Sequence, residues 1–231
     1  MKQEGLKKTF VHQMQQKIFS GELQIGQKLP PERELAAQLG VSRSLVNTGI
    51  LELESQGFVR IVPRQGSIVA DYKKNGTLQV LVALMGCDSP RIDYPLFCNM
   101  VDLRILVECE CARLACVHAT IEDIDTLSLL IRCVGVCSDP QDAVESLVRF
   151  HYFITQLSGN AVYAMTFKSF ESVVLRLVSQ HFAVAPDLPK TVKLHEALIS
   201  ALIAHDPERS AQCMRLCLLQ GMSAIKKLYK G

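Results

Sequence analysis

Apolar side chains recur every fourth residue near the start of the chain, at Leu6, Phe10, Met14 and Ile18, with Val11 and Phe19 widening the stripe. That spacing predicts an amphipathic helix over 6–19, ended by Ser20-Gly21. Gly21 to Pro31 shows no period and reads as a connector. A short helix is expected over 32–38, with Pro31 suited to its first position. Leu39-Gly40-Val41 makes a turn, and Ser42 is a good N-cap for a third helix over 43–56. Leu45, Val46, Ile50, Leu51 and Leu53 supply its buried side, and Gly57 fits a C-terminal stop. The pattern then changes. Residues 58–62 and 67–70 read as two short strands around a turn, Pro63-Arg64-Gln65-Gly66.

Asp71 to Gly76 is polar. Beyond it the pattern is helical throughout, with expected spans at 77–86, 94–118, 121–137, 141–157, 161–182, 190–204 and 208–229. Several starts carry caps: Thr120 with Asp123, Asp139-Pro140, Asn160, and Asp206-Pro207. The expected fold is mainly α. A winged helix-turn-helix with a small β-hairpin wing occupies 1–72, 73–77 is a linker, and an all-α bundle of about seven helices fills 78–231.

Composition sharpens this division. The 231 residues are 48% apolar, enough for a substantial core, and there is no Trp. The net charge of +2 conceals an asymmetry, because residues 1–75 hold 11 Lys/Arg against 7 Asp/Glu. The first part is mildly basic, as a phosphate-binding surface requires, so one copy should bind DNA weakly and a homodimer is expected. The polar start lacks an apolar signal region, and no apolar run approaches the roughly 18 residues of a membrane span. The expected location is the cytoplasm, with no membrane partner. All nine cysteines lie between Cys87 and Cys217, an odd count that favours reduced thiols over a disulfide framework.

The chemistry of the first part concentrates at the tip of the 43–56 helix and at the wing. In a helix-turn-helix, the second helix enters the major groove. Arg43 sits at its second position, where a guanidinium can grip guanine O6 and N7 together. Ser42 and Ser44 are short donors suited to phosphates. Asn47, one turn on, could read adenine or touch the backbone. Arg33 on the preceding helix is placed for a phosphate. At the wing tip Gly66 permits close approach to the groove, flanked by Arg64 and Gln65. Winged helices also serve as protein-interaction modules, in which Arg33 and Arg43 would be surface charges only. Gly21-x4-Gly26-Gln27-Lys28 lacks the offsets of a phosphate-binding loop. There is no Gly-x-Ser-x-Gly elbow and no dinucleotide fingerprint, and His118 beside Glu122 is a helix-end arrangement, so no enzymatic activity is expected.

The ordered residues Gly21-x4-Gly26-x2-Leu29-Pro30-Pro31-Glu32-Arg33-Glu34-Leu35-Ala36, then Val41-Ser42-Arg43, then Gly57-x8-Gly66, resemble the GntR superfamily of bacterial transcription regulators. The helical remainder is similar to the FadR-type branch. The resemblance implies a homodimer on a palindromic double-stranded operator, controlled by a small effector in the helical domain. One departure is Asn47, where the family often has Arg.

Many relatives carry a metal site in the helical domain, built from an Asp, a His four residues later and two further His. By that resemblance His151 and His195 match two ligands, Leu147 stands at the Asp position, and the last ligand falls at or beside Cys217. His151, His195 and Cys217 could make a three-ligand site for zinc or another divalent metal, within a metal- or thiol-sensing regulator. Two buried histidines bonding inside a metal-free pocket is the other reading, and no cofactor is then expected. Ser158 to Tyr163 and Gln180 to Ala183 look like the acyl-CoA-responsive, metal-free subgroup. Arg104 matches a family Arg that commonly meets an acidic effector, although Glu108, four residues on, is an equally good partner. The candidate effector-binding set is therefore Arg104, His151, Tyr163, Arg176 and His195, with His181 a further lining residue. An organic acid or an acyl-CoA is the expected ligand. The cysteine pairs Cys109/Cys116, Cys133/Cys137 and Cys213/Cys217 each share a helix face and are read mainly as core filling.

Overall fold

The computed structural model describes residues 2–86, 94–184 and 187–230. The chain divides into two compact units, residues 1–90 and 91–231.

In the first unit α1 (Lys2–Phe19) buries Phe10, Met14 and Ile18 against Val46, Ile50 and Leu53 of α3 (Arg43–Gln56). Phe10 lies directly over Gly49, so a Cβ there would collide with its ring. Leu6 and Leu51, expected in the buried stripes, are each 48% exposed. Both sit on helix shoulders that the hydrophobic period alone does not distinguish from the core face. Between these helices, α2 (Glu32–Leu39) starts after Pro31, which takes the N-cap position and not the first helical one. Gly40 closes α2 at φ 63° and Gly57 closes α3 at φ 91°, left-handed positions that favour glycine.

Strands β1 (Val59–Val62) and β2 (Gly66–Val69) form an antiparallel hairpin with Val59 opposite Val69 and Val62 opposite Gly66. The connector is more ordered than its sequence indicates. Gly26 N–H donates to Val69 O at 2.9 Å, Val69 N–H to Gln27 O at 2.9 Å, and Leu29 N–H to Ser67 O at 2.8 Å. These bonds hold the second edge of β2. Phe58 packs edge-on to Phe19 and near Tyr72, joining the hairpin to α1 and to the short α4 (Tyr72–Asn75). Helix α5 (Leu78–Gly86) also belongs with this unit: Val80 is in its core and Ala83 packs against it. Helices α4 and α5 thus pack onto the N-terminal core.

The second unit is helical: α6 (Tyr94–His118), α7 (Ile121–Val136), α8 (Pro140–Leu157), α9 (Ala161–Val184), α10 (Leu188–Ile203) and α11 (Pro207–Lys230). Helix α6 packs on α8 and α11, while α10 packs on α7 and α11. Phe97, Leu127, Ile131, Phe150, Ile154 and Leu198 make the fully buried core. The caps act as expected. Thr120 and Asp123 form a reciprocal capping box, and Asp139, Asn160 and Asp206 each accept a backbone N–H at a helix start.

Candidate functional sites

The first candidate site is the exposed tip of α3 with the wing. Ser42 Oγ accepts the Leu45 N–H at 3.2 Å, so this hydroxyl caps the helix before it does anything else. Cap and turn aim the first turn of α3 outward. Arg33, Ser42, Arg43, Ser44, Asn47, Arg64, Gln65 and Gly66 are all exposed, as a groove-reading surface requires. A carboxylate absent from the sequence-based set organises this tip. Glu32 accepts from Asn47 Nδ2 at 2.9 Å and from Arg43 Nε at 3.3 Å. At the wing, Arg64 has φ 64° and Gly66 φ 92°, which tightens the hairpin end. Lys28 also belongs here. It bridges to Ile68, and its aliphatic arm lies beside Gly66. Its position follows from the connector pairing with β2, which has no signature in the local sequence.

The second candidate site is a cavity of about 50 Å³ in the helical unit. Arg104 from α6, His151 from α8, His181 from α9, Thr191 and His195 from α10 and Cys217 from α11 are among its lining residues. The sequence reading had these residues except Thr191, but it missed how they are joined. Glu108, with no exposed surface, accepts from Arg104 Nε at 2.6 Å and lies 2.6 Å from His151 Nδ1. His151 Nε2 is 3.3 Å from His195 Nε2, and His195 Nδ1 is 2.7 Å from the Thr191 carbonyl. Arg104 thus forms the expected i, i+4 pair with Glu108 and lines the cavity as well.

Hydrogen-bond accounting assigns the protons. A carbonyl only accepts, so His195 Nδ1 carries a proton and donates to Thr191. Burial, reinforced by the neighbouring His151, lowers the His195 pKa to about 3, so its Nε2 is a bare acceptor. Burial by itself would raise the Glu108 pKa, but Arg104 and His151 outweigh that and hold it at about 2. The ionised carboxylate only accepts, so His151 Nδ1 donates to it. His181 adds an unmet need: its Nδ1 is buried without a hydrogen-bond partner, and burial lowers its pKa.

The donor set does not fit a metal ion. Among the described residues no three His, Cys, Asp or Glu side chains are gathered to hold one. Leu147 lines the cavity with methyl groups where a hard ligand would be needed. Burial pushes the Cys217 thiol far up from its ordinary pKa, which opposes the thiolate that a redox sensor requires. Cys109 and Cys111 are likewise pushed up, to about 11 and about 12, chiefly by burial.

Two expected lining residues lie elsewhere. Tyr163 borders an open groove with Leu106, Glu110, Arg113, Glu208 and Arg215. Arg176 is half-buried on α9 and is not part of the cavity wall. Tyr163 stands in a run chosen by local likeness of sequence, which does not fix the rotation of α9.

Residues 6–69 match the family model described as bacterial regulatory proteins, gntR family, and residues 99–220 match the FCD domain. The chain is 30% identical to an Escherichia coli (strain K12) protein named for regulation of the L-lactate dehydrogenase operon, over 83% of this chain and 75% of that protein. It is 29% identical to the Glc operon transcriptional activator of the same strain, over 70% of this chain and 64% of that one. Among solved structures, Lar, described as controlling expression of the Listeria monocytogenes agr system, aligns over 95% of this chain and 96% of its own with TM-score 0.59 and 18% identity. E. coli McbR/YncC aligns over 98% of each chain with TM-score 0.54 and 18% identity. These two establish likeness of fold.

Proposed function

The chain belongs to the GntR family of bacterial regulatory proteins, with an FCD domain behind its DNA-binding domain, and from that premise we propose a homodimeric transcription regulator whose operator affinity is set by a small organic monocarboxylate. The α3 tip and the wing read a palindromic operator, Arg43 taking a guanine and Arg33, Ser44, Arg64 and Lys28 serving phosphates. Two copies are needed because each N-terminal unit is only mildly basic, and few phosphates can be neutralised per copy.

One observation supports the effector class: a largely apolar cavity that places the Arg104 guanidinium near a buried His181 nitrogen with no partner. A single carboxylate would meet the Arg104 guanidinium and offer that nitrogen a partner. The cavity of about 50 Å³ favours a compact acid over an acyl-CoA. The relative named for the L-lactate dehydrogenase operon makes L-lactate the first acid to test.

Calorimetric titration with L-lactate and other short monocarboxylates, beside anisotropy on DNA selected by the wild type, tests the two halves separately. Arg43→Ala is expected to lose sequence-specific DNA binding and to keep carboxylate binding unchanged. Unaltered operator affinity in Arg43→Ala would remove α3 from the reading role, and an absence of any carboxylate binding would remove the effector assignment.

A further inference from the structure

The amide of Asn47 and the guanidinium of Arg43 share one carboxylate, and this decides what Asn47 can present to a base. Glu32 sits in the first turn of α2, whereas Arg43 and Asn47 lie four residues apart on α3, on one helix face. Glu32 Oε1 takes the Asn47 Nδ2 proton at 2.9 Å, and Glu32 Oε2 takes Arg43 Nε at 3.3 Å. The Glu32 side chain is 29% exposed and that of Arg43 is 76% exposed, so the carboxylate is the sheltered member and the readers project from it.

A carboxylate cannot donate, so the Asn47 amide cannot flip: its nitrogen faces Glu32 and its oxygen faces away. One amide proton is left for a base. An acceptor and a donor side by side are what adenine requires, N6 donating to the oxygen and N7 accepting the remaining proton. Guanine presents two acceptors on that edge and would leave the Asn47 oxygen unpaired. Arg43 is treated differently by the same carboxylate. Only its Nε is engaged, which leaves the terminal nitrogens as the edge that grips guanine O6 and N7.

We propose that Glu32 is a positioning residue that locks Asn47 as an adenine reader and sets it beside the guanine contact of Arg43. The proposal rests on the DNA-reading assignment above and adds a specificity to it. Four residues of helix rise about 6 Å, and base pairs are about 3.4 Å apart. The adenine therefore falls within about two base pairs of the guanine in each half-site.

The test is selection of duplexes from a randomised pool by the full chain, sequenced for the wild type, Asn47→Ala, Asn47→Arg and Glu32→Gln. All three changes are at side chains outside the core, and thermal melting checks that each variant is folded. The wild type is expected to prefer adenine over guanine about tenfold or more at one position per half-site, next to the guanine that Arg43→Ala abolishes. Asn47→Ala should flatten that position alone, and Asn47→Arg, with donors only, should convert it to guanine. Glu32→Gln should bind DNA but lose most of the adenine preference, because Gln can donate and so lets the Asn47 amide turn over. An unchanged preference in Asn47→Ala would overturn the assignment of Asn47, and a full adenine preference in Glu32→Gln would overturn the role of Glu32. If the wild type enriches no sequence, the DNA-reading assignment itself falls, and this inference with it.

Discussion

At the scale of single residues, the helical unit is organised around Glu108, which has no exposed surface and bonds both Arg104 and His151. Removing one partner of a buried ionic group is far more damaging than the group is stabilising, at about 3–5 kcal/mol. Glu108→Gln is therefore expected to lower the unfolding free energy by about that amount in urea titrations; a loss below about 1 kcal/mol would mean that the triad does not hold in solution. His195 makes the second residue-scale prediction. Its folded pKa of about 3 lies below the unfolded value of about 6.5, so between those pH values the unfolded chain binds a proton that the folded chain refuses. Stability then rises with pH across that window, by about 1.4 kcal/mol per pH unit for one proton. His181 contributes in the same direction, while Glu108 adds its own loss only below the ordinary Glu range. Replacing His195 by Gln should flatten the slope of unfolding free energy against pH near pH 5 by roughly that amount, and an unchanged slope would show that His195 is charged when folded. Arg104, His151, His195 and Cys217 were legible in the sequence as candidates. Glu108 was legible only as a partner for Arg104, because its bond to His151 crosses from α6 to α8, and no local spacing reports on such a contact.

At the scale of elements, helices were the most readable part, since hydrophobic period and caps act over neighbouring residues. Thr120-Asp123 and Asp139-Pro140 mark the starts of α7 and α8, where the structure places them. The elements that were missed are those whose order comes from tertiary partners: the connector strand pairing with β2, and α4 and α5 packing onto the N-terminal core. Exposure of Leu6 and Leu51 has the same origin, because a period defines a face but not how wide a neighbour covers it. The contact between α1 and α3 gives the element-scale prediction. Gly49 lies mid-helix, where alanine would ordinarily be favoured by about 1 kcal/mol. Here a methyl group would strike Phe10, itself only 2% exposed and without room to retreat. Overpacking of this kind costs about 1–3 kcal/mol, so Gly49→Ala is expected to lower the melting temperature of the N-terminal unit. A raised melting temperature would show that the two helices can part without loss.

At the scale of the whole molecule, the chain joins a GntR-family DNA-binding unit to a unit with a cavity lined by arginine and histidines, and the function proposed for it requires that one respond to the other. Among the described residues no helix is long and apolar enough to cross a membrane, and the relatives are named as regulators of operons. A ligand shifts operator affinity only if it binds two states of the protein unequally, and such couplings are usually worth 5–150-fold. Arg104 is the residue through which a carboxylate would act, since it borders the cavity and shares Glu108 with His151. The most direct measurement is the dissociation constant of the selected operator, followed by anisotropy as L-lactate and other short monocarboxylates are added, for the wild type and for Arg104→Gln. The account predicts a shift of fivefold or more with at least one acid in the wild type and none in Arg104→Gln, whose operator affinity without acid stays near that of the wild type. An acid that saturates the cavity by calorimetry and leaves operator affinity unchanged would contradict it.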